Sequence, residues 1–470
     1  MYLKLALGNV RRSVKDYSVF FATLAFAACL LYSFSSAGDY LWAMDLSGEQ
    51  RGLAESQQLN TVMSAFSVFV VVVFAFLMSY GFRFIVRRRT REFALYGLLG
   101  MDGRGVSAIL CLEGALVGVA AWAVGVAVGV LASPAFMLLE AWVFGVGWRP
   151  AVIFSPDAFR WTLLCFAALV ATACAASGRQ VARAPLATLF VADKKPERLL
   201  AMGKPRLAWA QLALGVVLVG AVWAAVLLQP ALFLVLLVPF GAMALVGTWL
   251  VARFLAWAVP RALQRRPQRY LRGLTCFTVR QTQATASSSS MAMAVVCVLI
   301  ACAVCMVAAG LAFTVGVRGS GSPVSAELAD SLAPVGFIGL LYGLSFLLAA
   351  MAVLALQQLA EAADGTRRYR VLADLGASRS LAAGSLRTQV ALYFGVPLAG
   401  ALLHDVVGLT IVAVLAEGIG AVFGTIVAAT VGVTVAVMVF YYVVTCRGCA
   451  RIVLAPWGRP TGARTSEGRR

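Results

Sequence analysis

Long apolar runs, separated by short polar segments, dominate the pattern of this chain. Runs near twenty residues have the length that an α-helix needs to cross a bilayer. The pattern predicts ten spanning helices, at about 17–36, 60–82, 106–132, 157–177, 207–228, 231–257, 288–316, 334–358, 387–404 and 419–444. We therefore expect an all-α integral membrane protein whose polar chemistry is concentrated in the segments between helices.

A short basic motif occurs twice, each time between two predicted spans. Residues 87–101 read RRRTREFALYGLLGM, and residues 367–377 read RRYRVLADLGA. The pairs that coincide after a shift of 276 positions are Arg91 with Arg367, Phe93 with Tyr369, Leu99 with Leu375 and Gly100 with Gly376. Two equivalent polar elements indicate two equivalent docking points for a two-fold pair of partner subunits.

The duplication predicts a chain of three parts. Residues 1–204 form a first repeat with spans one to four, residues 205–260 a connecting helix pair, and residues 261–470 a second repeat with spans seven to ten. Because the connecting pair returns the chain to its starting side, both repeats are expected to point the same way. A pseudo-two-fold axis along the membrane normal then relates them.

The basic charge is distributed unevenly along this topology. The net charge is +19, yet Arg51, Arg149, Arg160 and Arg318 are the only basic residues on one side of the ten predicted spans. Basic residues favour the cytoplasmic side, which predicts a multi-pass plasma-membrane protein with both termini in the cytoplasm. The charge then faces anionic membrane lipid rather than nucleic acid, because no solvated basic domain with base-stacking aromatics is evident.

Catalytic and metal chemistry find little support in the sequence. The phosphate loop G-x-x-x-x-G-K-[ST] is not found, so ATP hydrolysis is expected in a separate subunit. One histidine and cysteines that lie mostly inside predicted spans do not suggest a catalytic triad or a zinc site. We therefore predict a protein that is not itself an enzyme and that needs no cofactor or metal.

Three polar residues inside or at the ends of predicted spans are candidates for a functional role. Glu113 lies near the start of the third span, with Gln389 at the equivalent position of the second repeat. Glu113 is either a buried side chain bonded to a neighbouring helix or a strut that responds to movement of the two halves. His404, near the far side of the membrane, is either a satisfied interfacial histidine or a pH-sensitive contact.

Several segments together resemble FtsX-like ABC transporter permeases, and more narrowly the ten-span BceB-type permeases. They are NVRRSVKDYSVFFATLAFAACLLYSF at 9–34, the motif at 87–101, QLAEAADGTRRYRVLADLGAS at 358–378, VPLAGALLH at 396–404 and YYVVT at 441–445. The resemblance implies one permease chain served by two copies of a separate ABC ATPase. It also implies export, target release or removal of a peptide or lipid-linked substrate, with a role in resistance to antimicrobial peptides.

The large extracellular domain of the BceB type is missing from the corresponding interval. Residues 317–333, GVRGSGSPVSAELADSL, predict a short loop in its place. This difference argues against a sensor kinase as a further partner. Two other functions stay open: a non-transporting membrane regulator moved by an ATPase, and a secondary transporter driven by an ion gradient.

The basic motifs supply the residues expected to couple the permease to its ATPase. An aromatic side chain two positions after an arginine is typical of small interfaces with a strong anchor. The predicted contacts are Arg91, Phe93, Tyr96, Leu99, Arg367, Tyr369, Leu372 and Leu375. The alternative is that both segments simply rest on anionic lipid, which requires charge and no aromatic side chain.

Overall fold

The computed structural model describes most of the chain. The described residues are 2–12, 14–36, 39–40, 92–144, 147, 150–182, 205–229, 236–284, 286–316, 323–418 and 423–458, with isolated residues between 71 and 90. Most of the segment between the first two predicted spans, most of the second span and Arg91 lie outside them.

Helices account for nearly all of the described residues, and no strand occurs among them. The helices are α1 (Tyr2–Arg12), α2 (Val14–Ser35), α3 (Gly103–Phe144), α4 (Pro156–Ala182), α5 (Pro205–Leu228), α6 (Leu237–Gln264), α7 (Pro267–Tyr270), α8 (Thr275–Ala284), α9 (Ala286–Leu311), α10 (Pro323–Asp374), α11 (Arg379–Gly418) and α12 (Phe423–Val453). A π-turn at Ala312–Gly316 extends α9, and a 3-10 turn at Ala455–Gly458 follows α12.

Eight of these helices are long and apolar enough to cross a membrane: α3, α4, α5, α6, α9, α10, α11 and α12. They coincide with eight of the predicted spans. The first predicted span lies on α2, which has a shorter apolar stretch at Phe20–Ser33. The prediction of an all-α integral membrane protein is therefore confirmed.

The prediction of a loop at 317–333 is wrong for the second part of this interval. Helix α10 already begins at Pro323 and continues to Asp374, so residues 323–333 are helical. Proline is favoured at the first position of a helix, where its missing N–H is not needed. Apolar residues at Val324, Leu328 and Leu332 also follow a four-residue period. The glycine and serine residues at the start of the interval obscured this helical pattern.

The centre of the bundle is formed by α9 and α10. Their side chains Ile300, Tyr342 and Leu354 are fully buried. The two helices approach closely because Gly339 lies against the backbone of α9, where a Cβ would stand 2.8 Å from the Met306 carbonyl oxygen. Close packing over small residues is a common way for membrane helices to associate. Helix α10 also packs on α2 and α3, and thereby joins the two halves of the chain.

Corresponding helices of the two halves make corresponding contacts. The short helix α1, which precedes α2, packs on α3, and the short helix α8, which precedes α9, packs on α11. Helices α5 and α6 pack on each other, and α6 also packs on α9. Each basic motif therefore leads into a helix that is supported by a short helix from the start of the same half.

Candidate functional site: two matching elbows and their supports

Each basic motif ends in the same backbone turn. Gly100 and Gly376 have φ angles of 86° and 84°, a region that glycine enters without steric cost. The Gly100 and Met101 amides donate to the carbonyls of Gly97 and Tyr96, at 3.1 and 3.0 Å. This pair of bonds is a Schellman helix end.

The second turn repeats these bonds 276 residues later. Its Gly376 and Ala377 amides donate to the carbonyls of Ala373 and Leu372, both at 3.0 Å. The backbone of the two turns is thus matched bond by bond, which the sequence alignment alone does not establish.

The helix that follows each turn begins in the same way. The Asp102 carboxylate accepts the Gly105 amide at 2.9 Å, and the Ser378 hydroxyl accepts the Leu381 amide at 3.3 Å. Aspartate and serine are preferred at this capping position because they satisfy an amide that has no partner inside the helix. We call residues 92–105 elbow 1 and residues 368–381 elbow 2.

The tip of each elbow exposes a leucine. The exposed fraction is 84% for Leu99 and 77% for Leu375. The other predicted contacts are less uniform: Arg367 is exposed, whereas Tyr96 and Leu372 are half-buried. The two turns thus expose an apolar side chain at the same position.

The two aromatic side chains predicted as anchors face the interior instead. Phe93 and Tyr369 are both fully buried. The Phe93 ring centroid lies 5.6 Å from the Arg89 guanidinium carbon, and the Tyr369 ring meets the Phe277 ring of α8 edge-on at 5.2 Å. In this conformation neither ring is available to a docked subunit. Their placement makes them supports of the elbows.

A buried ion pair stands behind elbow 1. The Arg89 guanidinium donates to the Glu113 carboxylate of α3, and these side chains are only 2% and 0% exposed. The Tyr17 hydroxyl of α2 donates to Glu113 Oε2 at 2.7 Å, and the Asn9 amide of α1 donates to Glu113 Oε1 at 2.7 Å. Arg89 also pairs with the half-exposed Glu92. Multiple hydrogen bonds of this kind are what make a buried pair tolerable.

Each elbow is also tied to one end of the chain. The Asn9 side-chain amide donates to the Tyr96 hydroxyl at 3.0 Å, which joins elbow 1 to α1. The Trp457 indole N–H donates to the Ala377 carbonyl at 2.8 Å, which joins elbow 2 to the 3-10 turn after α12. The supports are therefore different, although the turns themselves are alike.

The second half has a neutral version of the polar contact. Gln389, the counterpart of Glu113, is buried on α11. One turn earlier, the Ser385 hydroxyl lies 2.6 Å from the Thr278 hydroxyl of α8. This contact joins neutral groups, whereas the half-buried carboxylate of Glu361 on α10 accepts hydrogen bonds from Ser289 and Gln357. The polar contacts of the two halves therefore differ.

His404 joins α11 to the connecting helices. The Trp223 indole N–H of α5 donates to its Nδ1 at 3.1 Å, and the Thr248 hydroxyl of α6 lies 3.0 Å from its Nε2. An N–H donated into Nδ1 requires that this nitrogen carry no proton, which fits a neutral imidazole. The geometry is that of a satisfied interhelical histidine.

Sequence reasoning missed three members of the buried network: Asn9, Tyr17 and Arg89. Arg89 and Glu113 are separated by 24 residues and lie on either side of the elbow. A helix–turn–helix hairpin brings such positions together, so opposite charges flanking a predicted glycine turn would have been a usable signal. Among the described residues, no group of three His, Cys, Asp or Glu side chains is placed to hold a metal ion.

Comparison with known proteins supports the resemblance. Residues 64–186 match the family described as FtsX-like permease C-terminal. An uncharacterized ABC transporter permease, YvcS of Bacillus subtilis, is 26% identical over 212 residues, which are 45% of this chain and 31% of that protein. The bacitracin export permease protein BceB of Halalkalibacterium halodurans is 26% identical over 162 residues, 34% of this chain and 24% of that protein. The chain thus covers less than a third of either relative.

Proposed function

We propose that this chain is the membrane subunit of an ABC transporter complex, moved by two copies of a separate ATPase that dock on elbows 1 and 2. The family match at 64–186 includes elbow 1, and both relatives are named as permeases. The observation that carries the proposal is the pair of turns with the same backbone hydrogen bonds and exposed leucine tips. Such a pair suits a partner with two-fold symmetry.

The proposal keeps the three-part organisation, with repeats at 1–204 and 261–470 and a connecting pair at 205–260. The corresponding contacts of α1 with α3 and of α8 with α11 support it. A secondary transporter would need no matched cytoplasmic turns. A membrane regulator driven by the same ATPase would use them equally, and measuring substrate movement separates it from a transporter.

For the substrate we propose a peptide antibiotic or the lipid-linked molecule that such a peptide binds, met from within the membrane. The name of the bacitracin export relative suggests this class. The short interval between α9 and α10 supports access through the spans, since no separate domain fits between Gly316 and Pro323. The test is a growth assay of cells with and without the chain in the presence of bacitracin. Equal sensitivity to bacitracin and to other peptide antibiotics would contradict this substrate class.

The proposed partner is tested by purifying the tagged chain from its native membrane. We expect an ABC ATPase to accompany it in a ratio of two to one, identified and quantified by mass spectrometry. A well-folded permease that brings down no ATPase with a phosphate loop, even after cross-linking in the membrane, would contradict the proposal.

If the ATPase docks at the elbows, both exposed leucines, Leu99 and Leu375, contribute to its binding affinity. Leu99→Ala or Leu375→Ala should each weaken ATPase binding about tenfold, because truncation of a buried leucine at an interface removes about 1–2 kcal/mol of apolar contact. If the ATPase binds as a dimer that contacts both tips at once, the double variant should lose about a hundredfold in affinity, because the two free-energy losses add. Binding is measured by titrating the purified ATPase onto permease in nanodiscs.

Leu271→Ala provides the matched control. Leu271 is 70% exposed and lies between α7 and α8, two residues before Gly273, which faces Leu381 at the edge of elbow 2. The variant therefore tests an exposed leucine that is close to an elbow but not at its tip. It should bind the ATPase as the wild type does. Equal affinity of the wild type and all four variants would show that the tips do not dock the partner and would favour the alternative of a purely lipid-facing basic segment.

The proposed orientation places both elbows and both termini in the cytoplasm. Single cysteines at Ser47, Ser322 and Ser378 can be introduced after the ten native cysteines are replaced by alanine. An impermeant thiol reagent should label intact cells at positions 47 and 322, and should label position 378 only after lysis. Labelling of intact cells at Ser378 alone would reverse the orientation.

A further inference from the structure

Helix α6 presents a regular row of tryptophan and arginine residues. Its sequence reads WLVAR at 249–253 and WAVPR at 257–261, so the aromatic and basic residues alternate at a four-residue spacing. Residues four apart lie on one face of a helix. We call Trp249, Arg253, Trp257 and Arg261 the Trp–Arg ridge. The Arg253 guanidinium lies 4.9 Å from the Trp249 ring centroid, and that of Arg261 lies 4.5 Å from the Trp257 ring centroid.

Three consecutive members of the ridge keep a buried donor without a partner. These donors are Trp249 Nε1, Arg253 Nε and Trp257 Nε1, none of which has a hydrogen bond within the described part of the chain. An unmet buried donor costs about 1–3 kcal/mol, so three on one face require an explanation. By contrast, Trp223 on the neighbouring α5 donates to His404. The ridge therefore has an unused capacity to donate hydrogen bonds.

The ridge also holds a positive charge without a carboxylate. Arg253 is only 8% exposed. No ion pair joins it to any carboxylate that the structure describes, whereas Arg89, the comparably buried arginine, pairs with two glutamates. A buried charge is costly unless an opposite charge is close. Planar guanidinium groups with neighbouring N–H donors are well suited to phosphate oxygens.

The position of the ridge suits a lipid headgroup. Helix α6 has 28 residues, which is about 42 Å of helix against a hydrocarbon core of about 30 Å. If its apolar start marks one edge of the core, Arg253 lies about one turn inside the other edge. The exposed Arg265, Arg266 and Arg269 follow at that end. Tryptophan and arginine are both typical of the membrane interface.

We propose that the Trp–Arg ridge binds the phosphate of one anionic glycerophospholipid. Arg253 supplies the charge, and the indole N–H of Trp257, which lies one turn closer to the membrane surface, donates to a phosphate oxygen when the ridge side chains shift to expose these buried donors. The surrounding basic residues favour a lipid with net negative charge over a zwitterionic one. Bound lipid would fill the angle between the connecting pair and the second half, where α6 contacts α9. This site is independent of the elbows and of the ATPase.

The test measures lipid retention by native mass spectrometry of the purified chain. Wild type incubated with dioleoyl phosphatidylglycerol should retain one lipid, and dioleoyl phosphatidylcholine should be retained at least tenfold less. Arg253→Gln should reduce phosphatidylglycerol retention at least tenfold. Trp257→Phe, which keeps the ring and removes its N–H, should reduce it about threefold.

Arg265→Gln removes the same charge from the exposed end of α6 and should bind phosphatidylglycerol as the wild type does. If it loses as much lipid as Arg253→Gln, the attraction is diffuse and the proposal is wrong. Full displacement of the lipid by millimolar inorganic phosphate would identify a soluble anion as the ligand instead.

Thermal unfolding without lipid separates binding from a merely structural role. Without lipid, Arg253→Gln should melt at or above the wild-type temperature, since it removes an unpaired buried charge. Addition of phosphatidylglycerol should raise the melting temperature of the wild type but not that of Arg253→Gln. If Arg253→Gln melts below the wild type without lipid, and the lipid raises its melting temperature as much as it raises that of the wild type, Arg253 contributes to packing alone. If Arg253→Gln fails to fold, Trp257→Phe decides the question, because it should show a smaller rise in melting temperature with phosphatidylglycerol than the wild type does.

Discussion

Glu113→Ala should destabilise the permease by about 3–5 kcal/mol, because it leaves the Arg89 guanidinium buried without its main counter-charge. The same change removes the acceptor of the Asn9 and Tyr17 bonds, so α1 and α2 lose a shared contact with α3. The free energy of unfolding is obtained by denaturant titration of the purified chain in mild detergent. The loss should exceed that of Gln389→Ala, which removes a neutral group at the matching position.

A double variant separates the charge effect from lost packing. Arg89→Met/Glu113→Leu removes both charges while keeping much of the side-chain volume. Replacement of a whole buried pair by apolar residues is often neutral for stability. We therefore expect the double variant to unfold close to the wild type and well above Glu113→Ala. If Glu113→Ala and the double variant lose the same free energy of unfolding, packing and not the unpaired charge determines the stability of this junction.

Phe93→Ala should cost about 3–5 kcal/mol of stability, because it leaves a cavity behind elbow 1. Tyr369→Ala should do the same behind elbow 2, where its ring packs on Phe277 of α8. ATPase affinity should fall only through the indirect effect of a distorted elbow, because neither ring contacts the ATPase. Unfolding in detergent and ATPase titration on the same preparations measure the two effects.

The conservative pair Phe93→Leu and Tyr369→Phe should retain most of the stability and the full ATPase affinity. This outcome distinguishes a supporting ring from an interface anchor. If Phe93→Ala is as stable as the wild type but no longer binds the ATPase, the ring is a direct contact, and its buried placement does not describe the docked state.

The sequence was sufficient for the architecture because length and hydrophobicity determine a spanning helix almost alone. It also aligned Gly100 with Gly376, although a turn at these glycines was not predicted and is seen only in the structure. The direction of Phe93 and Tyr369 could not be obtained in this way. An aromatic residue beside arginines suits a surface anchor and a buried support equally well, and only the packing of α8 and of the Arg89 side chain decides between them.

In the charged network behind elbow 1, only the Arg89–Glu113 pair left a usable signal in the sequence. The network members Asn9, Tyr17, Arg89 and Glu113 come from four separate segments. Their convergence depends on α1 folding back onto α3, which hydrophobic periodicity alone does not predict. The unused donors of the Trp–Arg ridge also require coordinates, because a tryptophan's hydrogen-bond partner cannot be inferred from its position in the chain.

Helix α10 makes elbow 2 one end of a single lever. The 40 residues from Val335 to Asp374 contain no proline and have a length of about 60 Å. If this segment tilts as a rod by about 10° about its midpoint, each end moves about 5 Å, in opposite directions. A pull at elbow 2 would then displace the far end of the segment by a comparable distance, because Pro334, the position at which the helix can bend, lies beyond it.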